Sequence, residues 1–159
     1  MAKQDIYIKD LDGFRIYAGR FREFGSNVRY ECDNLISTAE ESVYDAEQSY
    51  RKADDILNSI ISQMNRLRDA LYSAREGDVN PALLYEAQEK YARLGHVKEL
   101  VRNQVDFLWS YYLRIKREVN LLTDTTRGYQ EKITTMTDNG SNFLRLVEDK
   151  ARNYMDIRK

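Results

Sequence analysis

The chain has 159 residues, 25 basic and 26 acidic, for a net charge of −1. That length fits one domain, and the interspersed charge of both signs argues against a nucleic acid or an anionic membrane surface as an electrostatic partner. Seven glycines and one proline, with 32% charged and 42% apolar residues, point to long helices rather than a mixed fold.

Residues 5–9 are the one strand-like piece: Ile6 and Ile8 alternate with Tyr7 and the charged Asp5 and Lys9. Five residues are too few for a sheet, so residues 1–9 are expected as an extended arm, with Asp10 or Asp12 capping the first helix.

A hydrophobic 3-4 spacing then runs from Ala18 to Ala74 through Phe21, Gly25, Val28, Cys32, Leu35, Ala39, Val43, Ala46, Tyr50, Leu57, Met64 and Leu71. This is the a/d repeat of a left-handed coiled coil, and it predicts a helix over 10–76. The two successive steps of four at 35, 39 and 43 form a stutter, which locally unwinds a supercoil. The helix breaks at the corner 77–81, Gly-Asp-Val-Asn-Pro. Gly77 suits the left-handed position that ends a helix; Asn80 suits an N-cap and Pro81 the first helical position. So short a corner sends the second helix back along the first.

The second spacing starts at Leu84 and passes through Tyr91, Leu94, Val101, Val105, Leu108, Tyr112, Ile115 and Val119. The same phase continues through Leu122, Thr126, Tyr129, Ile133, Met136, Gly140, Phe143 and Val147, predicting helix over 82–157. Asp138-Asn139-Gly140-Ser141 suggests a break near 138–141, with a short third helix capped by Ser141. The expected fold is all-α: a long antiparallel two-helix coiled-coil hairpin, forming one elongated domain. A constant antiparallel register places Phe14 near Phe143 and Phe21 near Met136. Four Glu-to-basic pairs at i,i+4 (Glu47–Arg51, Glu86–Lys90, Glu89–Arg93 and Glu148–Arg152) mark solvated helix faces.

A two-helix hairpin buries one stripe per helix. Phe107, Trp109, Tyr111 and Leu113 surround their helix with apolar surface and, with Val97 and Leu100, form a second stripe. Phe14, Tyr17, Phe21 and Phe24 do the same near the N-terminus. A helix apolar on more than one face meets more than one neighbour. A symmetric homodimer with a four-helix cross-section is therefore expected, the alternative being a C-terminal segment folded back over part of this surface. Phe107, Trp109, Tyr111, Leu113, Val97, Leu100, Phe14, Tyr17 and Phe24 are the candidate interface.

The sequence offers no chemistry to set beside this. His96 is the lone histidine and Cys32 the lone cysteine, far apart, so neither a zinc site nor a di-iron bundle pattern is formed. No catalytic residue, metal or cofactor is expected. Cys32 sits on the seam as a small hydrophobe. Glu40-Glu41 and Asp54-Asp55 are adjacent and point to different helix faces, which unsuits them as a paired acid and base. No apolar run reaches the ~18 residues of a membrane span. The opening residues lead into no signal-peptide core. A cytoplasmic protein is expected, or one exported without a cleaved leader.

The polar opening followed by Phe21-Arg22-Glu23-Phe24-Gly25, and the Tyr-x-x-x-acid pairs Tyr50/Asp54, Tyr72/Glu76 and Tyr85/Glu89, give a helical hairpin that resembles the small W-x-G-type proteins of type VII secretion. The family's Trp-x-Gly corner is absent: the corner is Gly77 to Pro81, and Trp109 is followed by Ser110-Tyr111. The resemblance implies a dimeric hairpin serving as substrate, partner, adaptor or chaperone of a secretion system. Residues 10–42 and 115–157 would then form the family-like hairpin and 43–114 an extension of its tip. The competing expectation is a coiled-coil spacer within a phage or cell-surface assembly.

Overall fold

A computed structural model describes the backbone of residues 2–77 and 79–157, and the side chains of 12–77 and 79–154. Two helices account for almost all of it: α1, Ala2–Arg75, and α2, Pro81–Ile157. They form an all-α antiparallel hairpin. The chain divides into two compact units, one of Met1–Ala39 with Asn120–Lys159 and one of Glu40–Val119.

The corner forms much as its residues dictate. The Asn80 side chain accepts a hydrogen bond from the Ala82 N–H at 3.0 Å, and the Asn80 carbonyl accepts from Leu83 and Leu84 at 3.1 and 3.2 Å. Pro81 opens α2, where its missing N–H leaves nothing unpaired. Gly77 departs from expectation. It keeps a negative φ, and the turn closes instead through the Val79 N–H donating to the Gly77 carbonyl at 3.0 Å. Asp78 lies outside the described residues.

Two boundaries differ from the sequence reading. Residues 5–9 are helical, continuous with α1, rather than an extended arm. Period-two alternation over five residues does not distinguish strand from helix. Asp12 caps nothing: it lies inside α1 and accepts from Arg152 Nη2 at 3.0 Å. Any capping by the Asp10 side chain falls outside the described residues. The second difference is that α2 runs unbroken through 138–141 to Ile157, so among the described residues there is no third helix and no folded-back segment.

Packing explains the continuity. Thr137 and Ser141 are buried, Ser141 completely. Gly25 of α1 faces Thr137 so closely that a Cβ there would collide with the Thr137 hydroxyl. A Cβ on Gly140 would lie 3.8 Å from the Phe21 ring. Gly in a helix interior costs about 1 kcal/mol relative to Ala; here the small residues are what let the two helices approach, so tertiary contact overrides propensity.

In the unit of 40–119 the seam has the expected phase. Ala46, Leu57 and Met64 of α1 and Val105 and Tyr112 of α2 are buried. Met64 touches Gly95, and Tyr50 packs on Trp109 with ring centroids 4.8 Å apart. In the unit of 1–39 with 120–159, Ala18, Gly25 and Thr126 keep the expected phase, but further along each helix the seam slips by one residue. Ile36 is buried and Leu35 exposed; Thr137 is buried and Met136 is 71% exposed; Phe143 is 66% exposed. Phe21 accordingly sits by Gly140 rather than Met136, four residues further along α2 than the constant register implies. The stutter is likewise displaced: the least exposed positions step by four from the half-buried Val28 and Cys32 to the buried Ile36.

This unit is closed by polar contacts on one side. Gln130 Nε2 donates to the Arg29 carbonyl at 3.0 Å and to Asp33 at 3.3 Å. The buried Glu148 carboxylate pairs with Arg15 at 2.9 Å and Arg152 at 3.0 Å, and Arg152 also holds Asp12. The four i,i+4 pairs read from the sequence all form. Three are exposed and stabilise by roughly 0.3–0.5 kcal/mol each. Glu148–Arg152 differs because its carboxylate is out of solvent, so it needs both arginines.

The Gly25–Thr137 approach is testable against open helical glycines. Gly25→Ala is expected to destabilise by about 1–3 kcal/mol through overpacking, and Thr137→Ala in that background to recover most of the loss. Gly128→Ala, with nothing within 4 Å of the new methyl, is expected to stabilise by about 0.5–1 kcal/mol. Urea unfolding followed by circular dichroism measures all three.

Candidate interaction surfaces

The residues singled out from the sequence fall on different sides of the hairpin. In an α-helix each residue advances about 100°, so the position before a seam residue lies on one flank and the position after it on the other. Val97, Leu100, Phe107 and Tyr111 precede the seam positions Lys98, Val101, Leu108 and Tyr112, and share one flank of α2. Trp109 and Leu113 follow Leu108 and Tyr112 and lie on the opposite flank. All six are exposed in part, but they do not form the single stripe expected. Phe107 stacks on Tyr111 within the same helix, centroids 6.4 Å apart and planes within 12°.

Trp109 has an intramolecular role. Its ring meets Tyr50 of α1 and, at 5.6 Å, Tyr112 of α2. With Glu47, Arg51, Asp54 and Asp55 these rings line a groove of about 450 Å³. Arg51 donates to Glu47 at 2.6 Å; that hydrogen bond, with the Glu47 charge, holds the guanidinium above its ordinary pKa. Tyr50, the first residue of one Tyr-x-x-x-acid pair, is thus consumed in packing. Tyr72 and Tyr85 of the other two pairs are exposed.

Near the N-terminus, Phe14 is half-buried, while Tyr17 and Phe24 are each 56% exposed. Tyr17 and Phe24 precede the buried Ala18 and Gly25. With Phe21 and Leu35 they form one flank of α1, and Phe24, Val28, Cys32 and Leu35 line an apolar groove of about 290 Å³ there. On α2 the matching flank carries Leu122, Tyr129, Met136 and Phe143, spaced by sevens and all exposed. In an antiparallel pair, the flank preceding the seam falls on the same side for both helices. These eight large side chains therefore share one face of the unit formed by 12–39 and 120–154.

The other face of that unit is charged. Asp124, Arg127, Glu131, Asp138, Arg145 and Asp149 each follow a seam position of α2 and are exposed. On α1 the same side carries Arg15, Arg22, Arg29 and Asp33. The sequence reading placed Leu122, Tyr129, Met136 and Phe143 inside the hairpin and so missed them as surface. The signal that finds them is the unbroken run of charges two positions further along α2.

Chemistry-bearing residues stay scattered. His96 is exposed and Cys32 half-buried. Among the described residues no three His, Cys, Asp or Glu side chains come together, and no helix is long and apolar enough to cross a membrane. No protein-family model, curated protein or solved structure matches the chain.

Trp109→Ala is expected to destabilise the hairpin by roughly 1–2 kcal/mol, because its half-exposed ring bridges the two helices. Phe107→Ala is expected to change stability by less than about 0.5 kcal/mol, since its partner is on its own helix. Thermal unfolding of the two variants, side by side, separates packing from surface.

Proposed function

We propose that this chain is a non-enzymatic helical interaction protein that works as a dimer, serving as substrate, adaptor or chaperone of a specialised, type VII-like secretion system. The observation that carries the interaction reading is the exposed apolar surface on helices that have already used their seam. Contiguous apolar faces of this size mark contacts with other proteins. The scatter of His96, Cys32 and the carboxylates supports the non-enzymatic part. The secretion part rests on the resemblance to W-x-G-type hairpins and on exposed Tyr72/Glu76 and Tyr85/Glu89.

Two measurements test this reading independently. Light scattering at several concentrations is expected to give twice the 18.8 kDa chain mass; a clean monomer at tens of micromolar sinks the dimer. Tagged chain is expected in the culture medium of its own bacterium and to disappear from it when the secretion ATPase is deleted. Equal amounts in the medium of both strains, or none in either, remove the secretion role and favour a structural component.

A further inference from the structure

The two helices of the unit formed by 12–39 and 120–154 meet through their smallest residues. Ala18, Gly25, Thr137 and Ser141 are buried, whereas Met136, Phe143 and Tyr129 stand 71%, 66% and 61% exposed one position away. An isolated hairpin would bury more apolar area by turning each helix until the larger side chains packed inward, and burial is the main driving force. The close Gly25–Thr137 contact fixes the opposite arrangement. Each helix thus has three sectors: a small-residue seam, a charged side and a large apolar side. That is the pattern of a two-helix layer whose broad face is covered by another layer.

We infer that this face, centred on Phe24 of α1 and on Tyr129 and Met136 of α2, is an isologous interface for a second copy of the chain. The inference rests on the dimeric interaction reading above and names the surface that reading needs. Three observations select a second copy. The eight large side chains expose on the order of 900 Å², given the ~200 Å² of a large side chain, against the ~800 Å² per partner that a stable complex buries. The stripe on α2 repeats every seven residues, so an identical stripe meets it knob into hole in antiparallel order. At its edges the face carries four charged residues of both signs, Arg20 (its guanidinium 5.9 Å from the Tyr17 ring centroid) and Glu31 on α1 and Lys132 and Lys150 on α2, while the opposite face carries many more. A face depleted of charge at its centre has no strongly acidic or basic partner to attract, and it repels no copy of itself.

The test uses the full chain in light scattering over a concentration series. Met136→Asp with Phe143→Asp is expected to raise the dimer dissociation constant by about a hundredfold or more, leaving monomer where the unaltered chain is dimeric. Met136→Gln with Phe143→Gln is expected to weaken the dimer in the same direction by a smaller factor. Both positions are exposed, so the helical circular dichroism and the Trp109 fluorescence of the variants are expected to match the unaltered chain. Arg127→Ser with Asp138→Ser, on the charged face, is expected to leave the dimer intact. A dimer that survives both pairs at 136 and 143 but dissociates with Leu100→Asp and Phe107→Asp overturns this inference and leaves the dimeric reading in place. A chain monomeric at every concentration overturns both, and an unlike helical protein then becomes the occupant of the face. The export measurement is unaffected by either outcome.

Discussion

The contact between Gly25 and Thr137 sets how near the two helices of its unit come, and much else in that unit follows. Helices that meet through glycine, alanine, serine and threonine have little room between them for a phenyl ring or a methionine. Phe21 is therefore displaced to the edge, where its ring rests beside Gly140. Met136 and Phe143 are turned out completely. Close approach is bought with surface: apolar area that a wider seam would have enclosed lies outside it. Ion pairs on one side, Glu148 with Arg15 and Arg152, then resist rotation of either helix back toward the alternative phase.

The hairpin itself was legible because its determinants are local. Asn80 and Pro81 specify a helix start whatever surrounds them, and the Glu-to-basic pairs at i,i+4 form whenever the helix does. The seam of 40–119 was legible too, since Ala46, Leu57, Met64, Val105 and Tyr112 are in phase with the 3-4 spacing and buried. The break expected at 138–141 failed for the opposite reason. Asp138, Asn139, Gly140 and Ser141 are poor helix formers taken alone, and what keeps them helical is a partner more than a hundred residues away in sequence.

The lower seam was misread for a physical reason rather than a statistical one. The apolar moment of α2 between 120 and 148 points toward Leu122, Tyr129, Met136 and Phe143, directly away from Arg127, Glu131 and Asp138. A helix with one neighbour buries the residues at the centre of that moment. Here the contact lies to one side of it, on Thr126, Thr137 and Ser141, midway between the charged and the large apolar sectors. An off-centre seam leaves the large apolar sector of the helix uncovered by its one neighbour in the hairpin, which is the surface the proposed dimer would cover. Side-chain size, read together with the charge arc, carries that information; the 3-4 spacing alone does not.

The two units divide the excess apolar surface unequally, and the division bears on where the proposed interface would lie. In 40–119, Val97, Leu100, Phe107 and Tyr111 lie on α2. The corresponding flank of α1 adds only Ile56, exposed among the polar Asp45, Ser49 and Lys52. Those five residues present roughly 500 Å², short of the ~800 Å² that a stable interface takes from one partner, with charged side chains alongside. In 12–39 with 120–154 both helices contribute, most of the charges lie on the far side, and the exposed area reaches the size a stable interface takes from one partner. Trp109, the largest side chain of the chain, is held between Tyr50 and Tyr112 inside its own hairpin. The residues that most resemble an interface by type therefore serve to join α1 to α2, and those placed to form one are the residues that a heptad reading assigns to the core.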